Sequence, residues 1–265
     1  MGSALLSLLE KVVDTAREAG EYLRRERESF SIDRVEHKHT HDYVSYVDRG
    51  SEQIIVERLK AVLPEAGFVT EEGLATFGGE ELYWCIDPLD GTTNFIHGLS
   101  PYAVSIALCK GEGIELGVVY DVTADEMYAA ARGEGAWLNG RPIHVSQQPF
   151  SQALLGFDLP YDAEAYTPFF LRVLQQTYGR VGSVRMSGSA ALSICYVAAG
   201  RLDGWAERYI GRYDYMAAAI ILLEAGGTVT NFSGSPRFTM GDDIIATNGI
   251  CHAELQEVVR LALVE

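Results

Sequence analysis

Cysteine is scarce in this chain of 265 residues, which contains only Cys85, Cys109, Cys195 and Cys251. The four thiols are widely spaced, lie in apolar surroundings and form no CxxC pair, so neither a zinc site nor a redox motif is predicted. We therefore expect reduced, buried thiols in a cytoplasmic protein.

Signals for export, membrane insertion and nucleotide binding are also missing. The N-terminus has no basic n-region and no cleavage site, so we expect no signal peptide. No apolar run approaches the length of a membrane span, so we expect no membrane contact. Neither a GxxxxGK[ST] sequence nor a strand-linked GxGxxG occurs, and a nucleotide-binding P-loop or Rossmann turn is not predicted.

Basic residues are outnumbered by acidic ones, 21 against 37, and the formal net charge is −16. A protein that binds nucleic acid needs a basic face, so nucleic acid is not an expected partner. The same charge would repel a phosphate substrate unless divalent cations neutralise acids where the substrate binds. We expect a few acids to bind cations and the majority to form a solvated surface.

The most informative segment is the nonamer at residues 87–95, Asp-Pro-Leu-Asp-Gly-Thr-Thr-Asn-Phe, which follows an apolar run predicted to be a buried strand. Its two carboxylates can hold hard cations, although a clasp of hydrogen bonds within a turn is the alternative. Pro88 fixes the turn, and Gly91 lets the backbone approach a ligand closely. The Thr92 hydroxyl and the amides of Gly91 and Thr92 begin a predicted helix, where an anion is favoured. The nonamer therefore predicts metal-assisted phosphate chemistry.

Apolar periodicity divides the chain into two parts. Helices over 4–27 and 44–63 precede mostly antiparallel strands, including a hairpin at Asn139-Gly140 whose second strand is predicted at 143–145. Farther along, strands and helices alternate, which predicts a mixed α/β layer. We expect an N-terminal α+β subdomain over 1–146, which carries most of the candidate metal ligands. The remaining candidate ligand, Asp214, belongs to a C-terminal α/β subdomain over 147–265. We expect the site to lie between the two subdomains.

The nonamer resembles the signature of the inositol monophosphatase family, and a second family element extends from residue 214 to residue 227. The resemblance covers nearly the whole chain. It implies an α/β (α+β) fold, the layered α/β/α/β/α sandwich of the fructose-bisphosphatase/inositol monophosphatase type. It also implies Mg²⁺-dependent hydrolysis of a phosphate monoester, inositol monophosphate to inositol and phosphate, by metal-activated water.

The resemblance further implies a set of ligands for two to three Mg²⁺ ions. Glu71, Asp87 and the Leu89 carbonyl would hold the first ion, and Asp87, Asp90 and Asp214 the second. A third, looser ion would lie near Glu71 and water. The alternative for Asp214 is a helix N-cap, because it opens an alanine-rich helix.

Catalytic roles follow from the same resemblance for Glu71, Thr92 and Asp48. The phosphate would bind to the amides of Gly91 and Thr92, while the Thr92 hydroxyl, paired with Asp48, and Glu71 would orient and deprotonate the water. For Asp48, the alternative is an acid on the surface of a helix. No covalent phosphoenzyme is expected, since no residue has the pattern of an activated nucleophile.

Substrate contacts are implied for Gly188, Ser189, Ala190, Glu207 and Lys38. A carboxylate such as Glu207 suits a polyol because it accepts hydrogen bonds from two vicinal hydroxyls. Ser189 could instead be only a helix cap, and Lys38 a solvated loop lysine.

Two residues depart from the family pattern: Tyr213 stands where tryptophan is frequent, and Met216 where a small residue is usual. Both leave the metal ligands in place, and we expect them to alter the shape of the substrate pocket.

Several alternatives remain on the same scaffold: fructose-1,6-bisphosphatase, 3′-phosphonucleotidase or histidinol-phosphatase activity. Thr93, Asn94 and Phe95 favour the inositol branch over the nucleotide branch. A non-catalytic regulatory protein that binds RNA or the transcription machinery is the alternative of a different class, although the acidic balance opposes RNA contact. The resemblance also implies a homodimer and inhibition by lithium.

Overall fold

The computed structural model describes residues 2–30, 35–39, 42–75, 77–159, 163–239, 241 and 243–263. Its helices are α1 (Gly2–Glu28), α2 (Tyr46–Val62), α3 (Thr92–His97), α4 (Ala163–Thr177), α5 (Ala190–Ala198), α6 (Arg212–Glu224) and α7 (His252–Leu263). Its strands are β1 (Val35–His39), β2 (Asp42–Ser45), β3 (Gly67–Thr70), β4 (Leu82–Asp90), β5 (Ala103–Lys110), β6 (Gly113–Asp121), β7 (Glu126–Ala131), β8 (Gly135–Leu138), β9 (Arg141–Pro142), β10 (Leu154–Phe157), β11 (Ser183–Arg185), β12 (Gly204–Arg208), β13 (Thr228–Thr230) and β14 (Asp243–Thr247).

These strands form two large sheets and one two-stranded sheet. The first sheet has seven strands in the order β3-β4-β5-β6-β7-β8-β9, and only the β3–β4 pair is parallel. The second has five strands in the order β11-β10-β12-β14-β13, of which β11, β10 and β12 are parallel and the rest antiparallel. Strands β1 and β2 pair separately. The predicted mostly antiparallel and mixed sheets are both confirmed.

The helices and sheets stack in five layers. Helices α1 and α2 cover one face of the seven-stranded sheet, and α5 and α6 lie between the two sheets. Helices α4 and α7 cover the outer face of the five-stranded sheet. The predicted layered α/β/α/β/α sandwich is confirmed.

Alternation along β4 explains why both faces of the seven-stranded sheet are covered. Trp84 and Ile86 pack against α1 and α2, whereas Tyr83 and Cys85 pack on the side of α5 and α6. A strand with apolar side chains on both faces needs a layer on each side, because successive side chains point in opposite directions.

The division at residues 146/147 falls between the two sheets and stays a prediction. Helices α5 and α6 follow this boundary, yet α6 packs directly on β4 to β8, so a large core joins the two parts.

The hairpin at Asn139-Gly140 forms, but with a different second strand. Asn139 and Gly140 have φ values of 49° and 75°, as a two-residue turn with two left-handed positions requires. The strand that pairs with β8 is β9, not the predicted 143–145, because a two-residue turn brings Arg141 directly opposite Leu138.

All four cysteines are free and buried, as predicted. Within the described residues, none of the helices combines the length and apolar character needed to span a membrane.

Gly117 marks a close contact between β6 and α6. A Cβ atom at this position would lie 2.4 Å from the Ala217 carbonyl oxygen, a backbone atom that cannot move alone. We expect Gly117→Ala to destabilise the fold by about 1–3 kcal/mol, because the sheet and α6 must separate. Chemical denaturation would measure this loss, with Gly241→Ala as the control, since a Cβ there meets nothing closer than 3.5 Å. Equal stability of the two variants would contradict the close approach.

Candidate active site

A cavity of about 630 Å³ opens where the end of β4 meets the second half of the chain. Its lining includes most of the predicted site residues: Glu71, Asp87, Leu89, Asp90, Gly91, Thr92, Gly188, Ser189, Ala190, Glu207 and Asp214. Two predicted residues are not in its wall. Asp48 lies behind Thr92, and Lys38 belongs to β1, where its side chain falls outside the described part of the chain.

A bulge in β4 directs Asp87 and Asp90 into the same cavity. Asp87 pairs with Ser105 and Asp90 with Ala103, so β4 has one residue more than β5 over this stretch. Residues three apart in a regular strand point to opposite faces, and the extra residue returns both carboxylates to one face. The bulge is held by the Ser51 hydroxyl, which donates to the Pro88 carbonyl (2.9 Å), and by the Leu89 amide, which donates to Asp87 (2.9 Å).

Asp87 is the centre of a cluster of like charges. It is buried, and its pKa is raised well above the usual range. Burial is the largest cause, and the negative charges of Glu71, Asp90 and Asp214 add to it. Its carboxylate is in hydrogen-bonding contact with those of Glu71 and Asp214. The pKa of Asp214 is also raised, by desolvation and then by Glu71 and Asp90. These groups repel one another when ionised, and a cation among them would relieve the repulsion.

Asp90 is bound by the start of α5. The Ser189 hydroxyl donates to one of its oxygens, and the amides of Ala190 (3.2 Å) and Ala191 (3.1 Å) also donate to its carboxylate. Burial raises the pKa of Asp90, while the Ser189 hydrogen bond opposes that rise. Sequence reasoning did not anticipate this link between the nonamer and the second half of the chain.

Ser189 and Asp214 both have local roles at helix termini. The Ser189 hydroxyl accepts from the Leu192 amide (3.3 Å), so this residue caps α5, and its predicted contact with substrate stays a prediction. Asp214 is not the N-cap of α6, which is Gly211; it lies in the first turn and accepts from the Gly211 amide (2.8 Å).

The predicted pairing of Thr92 with Asp48 is present. The Thr92 hydroxyl lies 3.1 Å from Asp48 Oδ1 and 2.9 Å from the Leu89 carbonyl oxygen, and its single proton can be donated to one of them at a time. Asp48 is 1% exposed, so the alternative of a surface acid is wrong.

Gly91 and Gly188 bring two loops together beside Thr92. Both adopt left-handed φ values, 88° and 73°, which favour glycine. A Cβ on Gly91 would lie 2.9 Å from the Pro101 carbonyl oxygen and 3.2 Å from that of Gly188. The backbone at Gly91 therefore approaches the two carbonyl oxygens too closely for a larger residue, in agreement with the tight turn predicted there.

Glu207 and Asp158 are two further acids in the lining of the cavity. Glu207 is 9% exposed, and its pKa is raised well above the usual range by burial and then by Asp158, Asp214 and Asp90. Three apolar side chains, Leu159, Met186 and Tyr209, are more than one-third exposed at the mouth. Neither Asp158 nor this apolar rim was predicted.

Of the two departures from the family pattern, only one reaches the cavity. Tyr213 lines the wall, whereas Met216 is fully buried between the sheets. The expectation that Met216 alters the pocket is wrong, because it lies on the face of α6 that packs into the core.

Glu52 is a second buried acid that sequence reasoning missed. Its two oxygens accept from the amides of Glu72 and Leu74, each at 2.8 Å, and so fix the loop that follows β3 and carries Glu71. One signal was present: Glu52 lies four residues after Asp48 and on the same buried side of α2 as Val56.

The donor set of the cavity fits a hard divalent cation. In the part of the chain that the structure describes, no group of three or more His, Cys, Asp or Glu side chains is already arranged to hold a metal ion. The donors around Asp87 are nevertheless all oxygens, from Glu71, Asp90, Asp214 and the Leu89 carbonyl, and Mg²⁺ prefers oxygen ligands. Burial raises the pKa of Asp87, Asp90 and Asp214, and a cation bound among them would stabilise their ionised forms.

Known proteins resemble this chain over nearly its whole length. The family model described as the inositol monophosphatase family matches residues 5–263. Nus factor SuhB of Pseudomonas aeruginosa is 39% identical over 260 residues, 96% of each chain. Inositol-1-monophosphatase of Mesorhizobium japonicum is 36% identical over 259 residues, 97% of each chain. The crystal structure of extragenic suppressor protein suhB from Bartonella henselae is 34% identical and has a TM-score of 0.90, covering 96% of this chain and 98% of that one.

Removing one charge from the cluster should stabilise the metal-free protein. A raised pKa in the folded state means that ionising Asp87 at neutral pH destabilises the fold, so Asp87→Asn should raise Tm in chelator. The expected rise is about 2–4 °C for each kcal/mol of repulsion removed. The same variant should lose most of the Tm increase that wild-type protein shows when Mg²⁺ is added.

Asp121→Asn is the matched control for this thermal experiment. Asp121 is equally buried, but it accepts from the Thr123 and Ala124 amides at a turn outside the cavity. Its substitution should lower Tm and leave the effect of Mg²⁺ intact. If Asp87→Asn destabilised the protein as much as the control, the proposed repulsion would be wrong.

Proposed function

Because the chain belongs to the inositol monophosphatase family, we propose that it catalyses the Mg²⁺-dependent hydrolysis of a phosphate monoester, inositol monophosphate, to inositol and phosphate. The observation that carries this proposal is the convergence of Asp87, Asp90 and Asp214 with Glu71 around one cavity, beside the Gly91-Thr92 turn.

Four carboxylates and one carbonyl oxygen would hold two to three Mg²⁺ ions: those of Glu71, Asp87, Asp90, Asp214 and Leu89. When bound, Mg²⁺ supplies positive charge for the phosphate oxygens and lowers the pKa of water. The same proposal includes two properties of inositol phosphatases, a homodimer and inhibition by lithium. It also includes a cytoplasmic location, which the four free cysteines support.

The chain's own residues would orient the reacting groups. When Thr92 donates its proton to Asp48, its hydroxyl oxygen can accept a hydrogen bond from the attacking water and fix the direction of attack. Glu71 lies at the cavity wall in contact with Asp87 and would accept the proton that the water releases. The amides of Gly91 and Thr92 would bind the phosphate, and Glu207 would accept hydrogen bonds from hydroxyls of the alcohol.

The charge of the cavity supports a substrate with a single phosphate. Among the described residues, all the titratable Asp, Glu, Lys, Arg and His side chains of its lining are carboxylic acids, and none is basic. They are Glu71, Glu72, Asp87, Asp90, Asp158, Glu207 and Asp214. A second phosphate on the alcohol would meet Asp158 and Glu207 instead of a lysine or arginine, which disfavours bisphosphate substrates.

A non-catalytic binding role is the second candidate, because a relative with 39% identity is named Nus factor SuhB. A partner of that kind would be a protein or an RNA, and the net charge of −16 favours the protein.

A substrate panel with Mg²⁺ and with chelator tests both candidates. We expect hydrolysis of inositol 1-phosphate that depends on Mg²⁺, and slower release from fructose 1,6-bisphosphate and from a 3′,5′-bisphosphorylated nucleotide. Faster release from either bisphosphate would overturn the assignment of substrate. Failure to hydrolyse any ester, together with retained binding to a protein partner, would favour the non-catalytic role.

Thr92→Ala should reduce kcat about 10²–10⁴-fold and change KM little, because the hydroxyl orients the water and does not hold the substrate. Thr92→Ser keeps the hydroxyl and should retain most of the activity. Steady-state kinetics would measure both variants. An unchanged kcat with a higher KM in Thr92→Ala would show that the residue only binds substrate.

A further inference from the structure

Asp158, which directly follows β10, accepts an unusual number of hydrogen bonds for one carboxylate. Its Oδ1 accepts from the amides of Ser187 (2.9 Å) and Gly188 (2.8 Å). Its Oδ2 accepts from Trp205 Nε1 (2.9 Å), and the hydroxyls of Ser187 and Ser193 both lie 3.3 Å from it. The side chain is 7% exposed at the cavity wall. Asp158 therefore fixes the backbone turn at residues 187 and 188.

Asn94 of the nonamer holds the same turn from the other side. Its Nδ2 donates to the Ser187 carbonyl (2.8 Å) and to the Pro101 carbonyl (2.8 Å). The two amides of the turn thus bind the Asp158 carboxylate, and the Ser187 carbonyl of the turn binds Asn94. The turn is therefore fixed with respect to both halves of the chain.

The residues that follow this turn are those that bind Asp90. Ser189, Ala190 and Ala191 supply the hydroxyl and the two amides that hold its carboxylate. A displacement of the turn would therefore move the start of α5 and change the direction in which Asp90 presents its remaining lone pairs. Groups that orient a metal ligand in this way commonly alter metal affinity by about 10–100-fold when removed.

We propose that Asp158 is a positioning residue, which sets the orientation of the Asp90 carboxylate through the turn at 187–188 and the start of α5, and thereby the affinity of the cavity for Mg²⁺. The Mg²⁺ part of this inference rests on the proposed function. The orientation of Asp90 rests only on the hydrogen bonds described above.

Asp158→Asn is the discriminating variant. Asparagine can keep its oxygen on the Ser187 and Gly188 amides, but its NH₂ group then faces the indole N–H of Trp205, and two donors cannot bond to each other. We expect the Kd for Mg²⁺, measured by calorimetry, to rise about 10-fold or more. Adding Trp205→Phe removes the opposing donor, and the double variant should recover part of the affinity, a coupling that independent structural damage would not produce.

Asp121→Asn is again the matched control, because it neutralises a buried carboxylate that also holds two consecutive backbone amides, but outside the cavity. Its Kd for Mg²⁺ should equal that of the wild type. Asp158→Ser, which leaves room for water, is the second variant should Asp158→Asn fail to fold, and it should raise the Kd in the same direction.

Amide hydrogen exchange in chelator gives a readout that does not depend on the metal. In Asp158→Asn, the Ala190 and Ala191 amides should exchange faster, because their bonds to Asp90 open more often, and in Asp121→Asn they should exchange at the wild-type rate. Normal Mg²⁺ binding and unchanged exchange in Asp158→Asn would overturn the inference and leave the proposed function intact. A wild-type protein that binds no Mg²⁺ and hydrolyses no ester would overturn the proposed function and the Mg²⁺ part of the inference, while exchange would still decide whether Asp158 orients Asp90.

Discussion

The hydrogen bonds between Asp90 and the start of α5 are the interaction on which the rest of the site depends. They join the bulge of β4, in the first sheet, to the helix that lies between the two sheets. A carboxylate at the N-terminus of a helix is favoured by the amides that lack partners there. The same contact brings Ser189 and Gly188 to the nonamer, so the geometry of the cavity and the packing of the layers are determined together.

The cavity is otherwise electrostatically unfavourable. Asp87, Asp214 and Glu207 all have raised pKa values, and burial is the largest cause for each of them. Proteins tolerate such an arrangement when a ligand offsets the cost, and here a divalent cation would supply the complementary charge. A few acids of the cavity, neutralised in this way, would remove the conflict between the acidic composition and the proposed phosphate substrate.

Much of the fold follows from local patterns in the sequence. Apolar spacing located α1, and Pro64 marked the end of α2 within two residues. The nonamer marked a segment that lines the cavity, because proline, glycine and two carboxylates in close succession have few structural explanations. Patterns of this kind are local, and periodicity reports them directly.

Contacts between distant residues and backbone amides could not be predicted in this way. Glu52 and Asp158 each accept hydrogen bonds from two backbone amides. Because every residue except proline carries a backbone amide, the side chains of the donor loops do not identify them as partners of these acids. Met216 illustrates the converse error. Its position two residues after Asp214, a candidate metal ligand, suggested a place in the pocket, but two residues of helix turn a side chain by about 200°, and Met216 lies in the core. The bulge of β4 was also missed, since it depends on the register with β5.

That bulge and the number of residues between Asp87 and Asp90 together determine which face the Asp90 carboxylate takes. If β4 paired regularly with β5 and kept the same number of residues, the two aspartates would lie on opposite faces, and Asp90 would project among the apolar side chains of α1 and α2 instead of into the cavity. Inserting one residue while keeping the bulge would have the same effect, because it changes the parity by one. For protein engineers, the register of β4 against β5 is therefore as much a part of this cavity as the carboxylates themselves.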